Sequence, residues 1–103
     1  MKPLSALRAQ LAAGEFDLTR HALKRVVERN ISGAEIQEAG GRAFIIEDYP
    51  SDKYGPTCLM LGFTVAGRAL HIQVTRHAER PRMKIITLYE PDSAEWINFT
   101  ERR

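Results

Sequence analysis

The sequence has a single cysteine, Cys58, and it has no long run of apolar residues. One cysteine cannot form a disulfide within the chain, and no further Cys or His lies at a zinc-finger spacing from it. No stretch approaches the roughly 20 apolar residues that cross a bilayer, and Arg8 and Gln10 interrupt the N-terminal apolar stretch before it reaches the length of a signal peptide. These absences predict a cytoplasmic protein with reduced cysteine, no membrane association, no metal and no other cofactor.

A strong excess of one charge is also absent, since 15 Lys and Arg against 13 Asp and Glu give a net charge of +2. With 103 residues, 44% of them hydrophobic, the chain is typical of one folded domain over residues 1–103. The charge is nevertheless uneven, because residues 20–29 carry a net +3, residues 68–84 a net +4 and residues 35–53 a net −3. If the two basic segments meet, they form an anion-attracting surface; otherwise they are two separate solvated faces.

Helices are predicted in the N-terminal part of the chain. Leucines recur at helical spacing over residues 4–13, and a glycine follows them. A second amphipathic pattern covers residues 20–29, with Thr19 as a plausible N-cap. The motif SGAE at residues 32–35 fits a capping box that opens a third helix, which two glycines end.

From residue 42 the apolar pattern changes from helical spacing to alternation. Four segments rich in β-branched and aromatic residues are each bounded by turn residues, at residues 42–49, 57–65, 69–76 and 83–90. Their connections are too short for helical crossovers, so the strands should form an antiparallel meander. The predicted fold class is therefore α+β, with two or three N-terminal helices packed on one face of a four-stranded antiparallel sheet.

Alternation in the third predicted strand separates an apolar set of side chains from a polar set. The apolar set is Leu70, Ile72 and Val74, and the polar set is His71, Gln73 and Thr75. Since the helices need the apolar face, we expect His71 on the other face, open to solvent, together with Thr87 and Tyr89 of the last strand.

Five ordered blocks of the sequence resemble an uncharacterised family of small bacterial and archaeal proteins, the domain of unknown function 4258. The blocks are RHALKRVVERNIS (20–32), IIEDYP (45–50), PTCLMLG (56–62), GRALHIQV (67–74) and IITLYEPDSAEW (85–96). The resemblance covers about residues 16–97, and the helix over about residues 4–13 lies outside it. That family is grouped with RelE-like and BrnT-like toxins of the barnase-type ribonuclease fold, which implies a RelE-like sheet, action on RNA or the ribosome, and an antitoxin protein as partner.

Cleavage of RNA without a metal, by attack of a ribose 2′-hydroxyl on the adjacent phosphate, needs a base, an acid and cations. Histidine suits the proton-transfer roles because its unperturbed pKa lies near neutrality. We predict His21 as the base and Arg25, one helical turn on, as a bidentate phosphate clamp. His71 or Tyr89 would be the acid. Further contacts to RNA phosphate are predicted for Arg20, Lys24 and Arg76.

The same residues also have structural interpretations. His21 and Arg25 fit an ordinary helix surface, and His71 fits a residue that hydrogen-bonds a neighbouring strand. Two classes of function are therefore open: a metal-independent ribonuclease or translation-targeting toxin, and a non-catalytic relative that binds RNA or a protein. The modest net charge counts against the first. If the first holds, His21 and His71 should lie within reach of one bound phosphate.

Overall fold

The structure is a computed structural model that describes all 103 residues. It has three helices: α1 (Leu4–Ala13), α2 (Arg20–Glu28) and α3 (Gly33–Gly41). It has seven strands: β1 (Phe16–Leu18), β2 (Phe44–Tyr49), β3 (Thr57–Phe63), β4 (Ala69–Thr75), β5 (Met83–Tyr89), β6 (Trp96–Ile97) and β7 (Glu101–Arg102). No helix is long and apolar enough to cross a membrane.

The three predicted helices are confirmed, and their ends show why they form where they do. The Thr19 hydroxyl accepts a hydrogen bond from the Ala22 amide at 3.1 Å and thereby caps α2. Ser32 and Glu35 form a complete capping box at the start of α3. Gly14 ends α1 in the left-handed conformation, with φ of 76°, which costs glycine no steric strain.

The main sheet has five strands in the order β1-β5-β4-β3-β2, and it is mixed. The four predicted strands are present and pair antiparallel, but the predicted meander omitted β1, which pairs parallel with β5 at the sheet edge. A strand of three residues is too short to show alternation in the sequence. The prediction of an α+β fold is confirmed, whereas the prediction of a purely antiparallel four-stranded sheet is wrong.

The core lies between the helices and one face of the sheet, which we call the helix-side face. Leu70, Ile72 and Val74 belong to it as predicted. α3 lies directly on β3, since a Cβ atom at Gly62 would overlap the Ala39 carbonyl. Contact between α1 and α3 closes the helical layer.

A β-bulge changes which side chains of β5 face the core. The register of β4 against β5 shifts between Gln73 and Val74, so that Ile86 is the extra residue. Ile85 and Leu88 belong to the core cluster, while Ile86 does not. Strict alternation would place Ile86 on the same face as Leu88, and the bulge is the reason that it does not lie there.

The opposite face of the sheet, here the second face, is covered in part by the C-terminal hairpin of β6 and β7. Before this hairpin, residues 92–96 form a single turn, in which the Asp92 carboxylate accepts from the Ala94 amide at 2.9 Å. The chain then continues into the hairpin instead of a helix. Trp96 is buried against His71, so it anchors the C-terminus to the second face and not to the helix-side core.

Candidate functional site

β1 pairs with β5 only as far as Leu18, and α2, which begins directly after it, packs against the rest of β5. Where β1 ends, the Thr19 amide donates to the Ile85 carbonyl at 3.1 Å, and the Thr19 hydroxyl donates to the Ile86 carbonyl at 2.9 Å. These two bonds fix the start of α2 against β5. As a result, the first turn of the helix reaches around the sheet edge to the second face.

His21 lies in that first turn, and its side chain is exposed. Its Nε2 atom lies 3.1 Å from the Thr87 hydroxyl oxygen, which holds the imidazole against β5. Arg20 and Arg25 make no side-chain hydrogen bond and no ion pair, and Lys24 pairs only with Glu28, at 3.8 Å on the exposed helix surface. Arg20, His21 and Lys24 are therefore exposed on α2, and Arg25, one helical turn beyond His21, is half-buried.

Four other arginines contrast with this cluster, because each has a carboxylate partner within 3.1 Å. The pairs are Arg68 with Glu35 and Glu90, Arg76 with Asp48, Arg82 with Asp17, and Arg102 with Glu47. Arginines that pair in this way stabilise the fold, so their charge is already compensated. Arg20 and Arg25 of α2 have no such partner and are available to an external anion.

His71 lies on the second face, as predicted, but the expectation that this position is open to solvent is wrong. The side chain is 0% exposed, because Trp96 stacks on it edge-on at a centroid distance of 4.4 Å. Its Nε2 atom lies 2.6 Å from the Phe99 carbonyl oxygen and its Nδ1 atom 3.2 Å from the Tyr89 hydroxyl. A carbonyl can only accept, so Nε2 carries the hydrogen and Nδ1 accepts from Tyr89. Both ring nitrogens are occupied.

The two histidines lie on the same side of the sheet. His21 contacts Thr87 and His71 contacts Tyr89, and these two β5 residues are two positions apart on one face, a spacing of about 6–7 Å. A position of both histidines on one side of the sheet therefore agrees with the geometry. The geometry does not allow one phosphate to contact both histidines, because Phe99 and Tyr89 occupy the His71 nitrogens.

A cleft of about 380 Å³ separates α2 from the C-terminal turn. It is lined by Arg25, Arg29, Tyr89, Glu90, Asp92, Glu95 and Trp96. Its two arginines face three carboxylates, so the cleft as a whole does not favour an anion. Arg25 stands at the junction of this cleft and the His21 cluster. The Tyr89 hydroxyl points away from the cleft toward His71, and burial raises the pKa of Tyr89.

Arg76 is separated from the other predicted site residues. Its guanidinium donates to the Lys2 carbonyl at 2.8 Å and to the Asp48 carboxylate at 3.1 Å. Asp48 pairs across the sheet with Cys58, whose side chain is in the helix-side core. Arg76 therefore ties the N-terminus to the helix-side face, and the geometry does not support its predicted contact with RNA phosphate.

Thr87 is the site residue that sequence reasoning missed. Its place on the second face follows from alternation, but its contact with His21 depends on how α2 passes the sheet edge. Only the three-residue β1 determines that path. No group of three or more His, Cys, Asp or Glu side chains lies close enough to hold a metal ion.

The buried state of His71 predicts a pH dependence of stability. Burial lowers the pKa of His71 from its ordinary value of 6.5, so below about pH 6.5 the unfolded chain binds a proton that the folded chain does not. The free energy of unfolding should therefore fall as the pH decreases from about 6.5. Hydrogen bonds from Ser32 and Arg68 lower the pKa of Glu35 from 4.5. The titration of this carboxylate therefore changes the free energy of unfolding only at more acidic pH. Denaturant unfolding at about pH 7 and pH 5 measures the effect, and His71→Gln should flatten it; an unchanged slope in that variant would contradict the assignment.

Three helices on a mixed sheet, with an exposed histidine at the start of α2 and two arginines of that helix without ion-pair partners, define a small α+β domain with a candidate anion site. The family described as Domain of unknown function (DUF4258) matches residues 18–90, and the chain belongs to this family. The matched region runs from the end of β1 through β5 and includes His21 and Thr87, while α1 and the C-terminal hairpin lie outside it. Comparison with curated proteins and with solved structures finds no match.

Proposed function

We propose that this protein is a metal-independent ribonuclease of the RelE-like or BrnT-like kind, which acts on RNA, free or on the ribosome, and is neutralised by an antitoxin protein. One observation carries the proposal: an exposed histidine, His21, is held by Thr87 at the start of a helix, beside two arginines without carboxylate partners. The resemblance of the family to toxins of the barnase-type fold supports the same class of reaction.

The start of α2 favours a phosphate for two independent reasons. The first amides of a helix have no intrahelical acceptor, and Thr19 satisfies only that of Ala22, so the amides of Arg20 and His21 are the donors nearest the helix end. The helix dipole adds partial positive charge at the same place. Arg20 and Arg25 contribute full charges without ion-pair partners.

The reaction at this position would begin with proton transfer to His21. Its imidazole accepts the proton of the ribose 2′-hydroxyl, and the 2′-oxygen attacks phosphorus. The bond from phosphorus to the 5′-oxygen breaks, leaving a 2′,3′-cyclic phosphate, and the 5′-oxygen takes a proton from water, because the Tyr89 hydroxyl already donates its hydrogen to His71. Arg25 stabilises the charge on the phosphorane. His71 cannot donate directly while the C-terminal hairpin covers it, so we assign it the positioning of Tyr89.

The alternative is a non-catalytic relative that binds RNA or a protein. The burial of His71 favours it, because the second histidine of the expected acid–base pair is sealed by Trp96 and Phe99. In that case the α2 surface would bind its partner without cleaving it.

Binding of RNA by the proposed site should depend strongly on salt. Replacing Arg20 and Arg25 together with glutamine should reduce the slope of log K against log salt by about 2, one for each lost phosphate contact. The measurement is a salt titration of single-stranded RNA binding by fluorescence anisotropy. Arg42→Gln removes an exposed cation at the end of α3; it is the control and should leave the slope at its wild-type value. Salt-independent binding, or no binding at low salt, would favour the protein-binding alternative.

A further inference from the structure

A second cleft, here called the loop cleft, lies on the second face of the sheet next to Thr19, the residue that precedes α2. It has a volume of about 420 Å³, within the range of about 300–1,000 Å³ typical of small-molecule sites. It is lined by Thr19, Lys53, Tyr54, Gly55, Thr75, His77, Arg80, Lys84 and Ile86. No carboxylate is among these residues, in contrast to the cleft beside Arg25.

Two loops form the walls of the loop cleft and are joined to each other. The loop between β2 and β3 carries Lys53 and Tyr54, and the loop between β4 and β5 carries His77 and Arg80. The His77 Nε2 atom lies 3.2 Å from the Tyr54 carbonyl oxygen, and a Cβ atom at Gly55 would overlap the His77 ring. Close approach of the two loops therefore requires glycine at position 55, where φ is 82°.

The cations of the loop cleft, Lys53, Arg80 and Lys84, form no ion pair within the 4.0 Å limit. Three carboxylates lie near the cleft and have other partners. Glu79 lies 3.9 Å from His77 and is 85% exposed, Asp52 accepts from the Lys53 amide and the Thr57 hydroxyl, and Asp17, the register partner of Lys84, pairs with Arg82. The three cations line one cleft without an ion-pair partner of their own, so this surface attracts anions.

Tyr54 adds an aromatic face between these cations. Its side chain is 47% exposed, and Lys53 Nζ lies 5.2 Å from its ring centroid. Cations interleaved with exposed aromatic rings are the arrangement with which proteins hold single-stranded nucleic acid, since the cations contact phosphates and the rings stack on bases.

We propose that the loop cleft binds the stretch of single-stranded RNA next to the phosphate held at the start of α2, with Lys53, Arg80 and Lys84 on phosphates and Tyr54 stacked on a base. This inference rests on the proposed function. Thr19 links the two sites, because it caps α2 and also lines the loop cleft. An RNA chain that runs from His21 along β5 toward Lys84 would next reach the loop cleft.

The test measures binding of a short single-stranded 2′-O-methyl RNA, which cannot be cleaved because the attacking hydroxyl is blocked. Lys53→Gln and Lys84→Gln each remove one exposed cation, and Arg42→Gln is the matched control outside both clefts. We expect each cleft variant to weaken binding severalfold and to lower the salt slope by about 1, and we expect the control to match wild type. Tyr54→Leu should weaken binding about fivefold or more, while Tyr54→Phe should retain it.

The outcomes separate this inference from the proposed function. If wild type binds and cleaves RNA but Lys53→Gln and Lys84→Gln bind like Arg42→Gln, the loop cleft is not an RNA site and the proposed function stands. If the cleft variants weaken binding while wild type cleaves nothing, the loop cleft is supported and the catalytic proposal falls. If wild type binds no RNA at low salt, both are overturned. If Tyr54→Leu and Tyr54→Phe bind RNA equally well, Tyr54 does not stack on a base.

Discussion

Replacing His21 with alanine is expected to lower the rate of RNA cleavage by about a hundredfold or more, the usual scale for the loss of a general base. The free energy of unfolding should change by no more than about 0.5 kcal/mol, because the side chain is exposed and its only hydrogen bond is to Thr87. The measurement combines thermal melting with cleavage of RNA in the presence and absence of ribosomes. Growth arrest on expression should be lost in parallel.

Val27→Ala is the matched control for His21→Ala. Val27 lies on the same helix, its side chain is 75% exposed, and it lines neither cleft. This variant should cleave like wild type. If His21→Ala stays fully active while it melts many degrees lower, His21 is a structural residue and the nuclease proposal fails.

Replacing His71 with leucine is expected to have the largest effect on stability. Leucine fills a similar space but leaves the Phe99 carbonyl and the Tyr89 hydroxyl without their hydrogen-bond partner, and it loses the edge-on contact with Trp96. Buried groups left unpaired cost about 1–3 kcal/mol each, so with two such groups the free energy of unfolding should fall by about 2–6 kcal/mol. For a domain of this size the melting temperature should fall by roughly 10 °C or more.

The same substitution at an exposed histidine provides the control. His21→Leu should change the free energy of unfolding by no more than about 0.5 kcal/mol, so the two histidine variants should differ clearly in thermal melts. If His71→Leu melts like wild type, the C-terminal hairpin does not depend on His71, and its assignment as a buried positioning residue is wrong.

The sequence predicted the helices and four of the strands because those elements carry strong periodic signals. The caps at Thr19 and Ser32 also follow from residue type and spacing alone. Alternation placed Leu70, Ile72 and Val74 in the core correctly, since one face of the sheet must bury its apolar side chains against the helices.

The parts that sequence reasoning missed depend on contacts between distant segments. His71 was predicted to be open to solvent because nothing in the sequence of its strand shows that residues 96–99 return to cover it. Arg76 was predicted to be free to bind phosphate because its partners, Asp48 and Lys2, are far away along the chain. The loop cleft likewise forms only when two separate loops meet, so Lys53 and Lys84 carry no sequence signal of their own.

The most direct test of the central claim is whether purified wild-type protein cleaves RNA without a metal. The protein is incubated with single-stranded RNA, and with mRNA on ribosomes, in the presence of a strong chelator, and the new RNA ends are analysed. We predict cleavage in at least one setting, with 2′,3′-cyclic phosphate and 5′-hydroxyl ends, and its loss in His21→Ala. No cleavage by wild type in either setting, or cleavage that the chelator abolishes, would contradict the account.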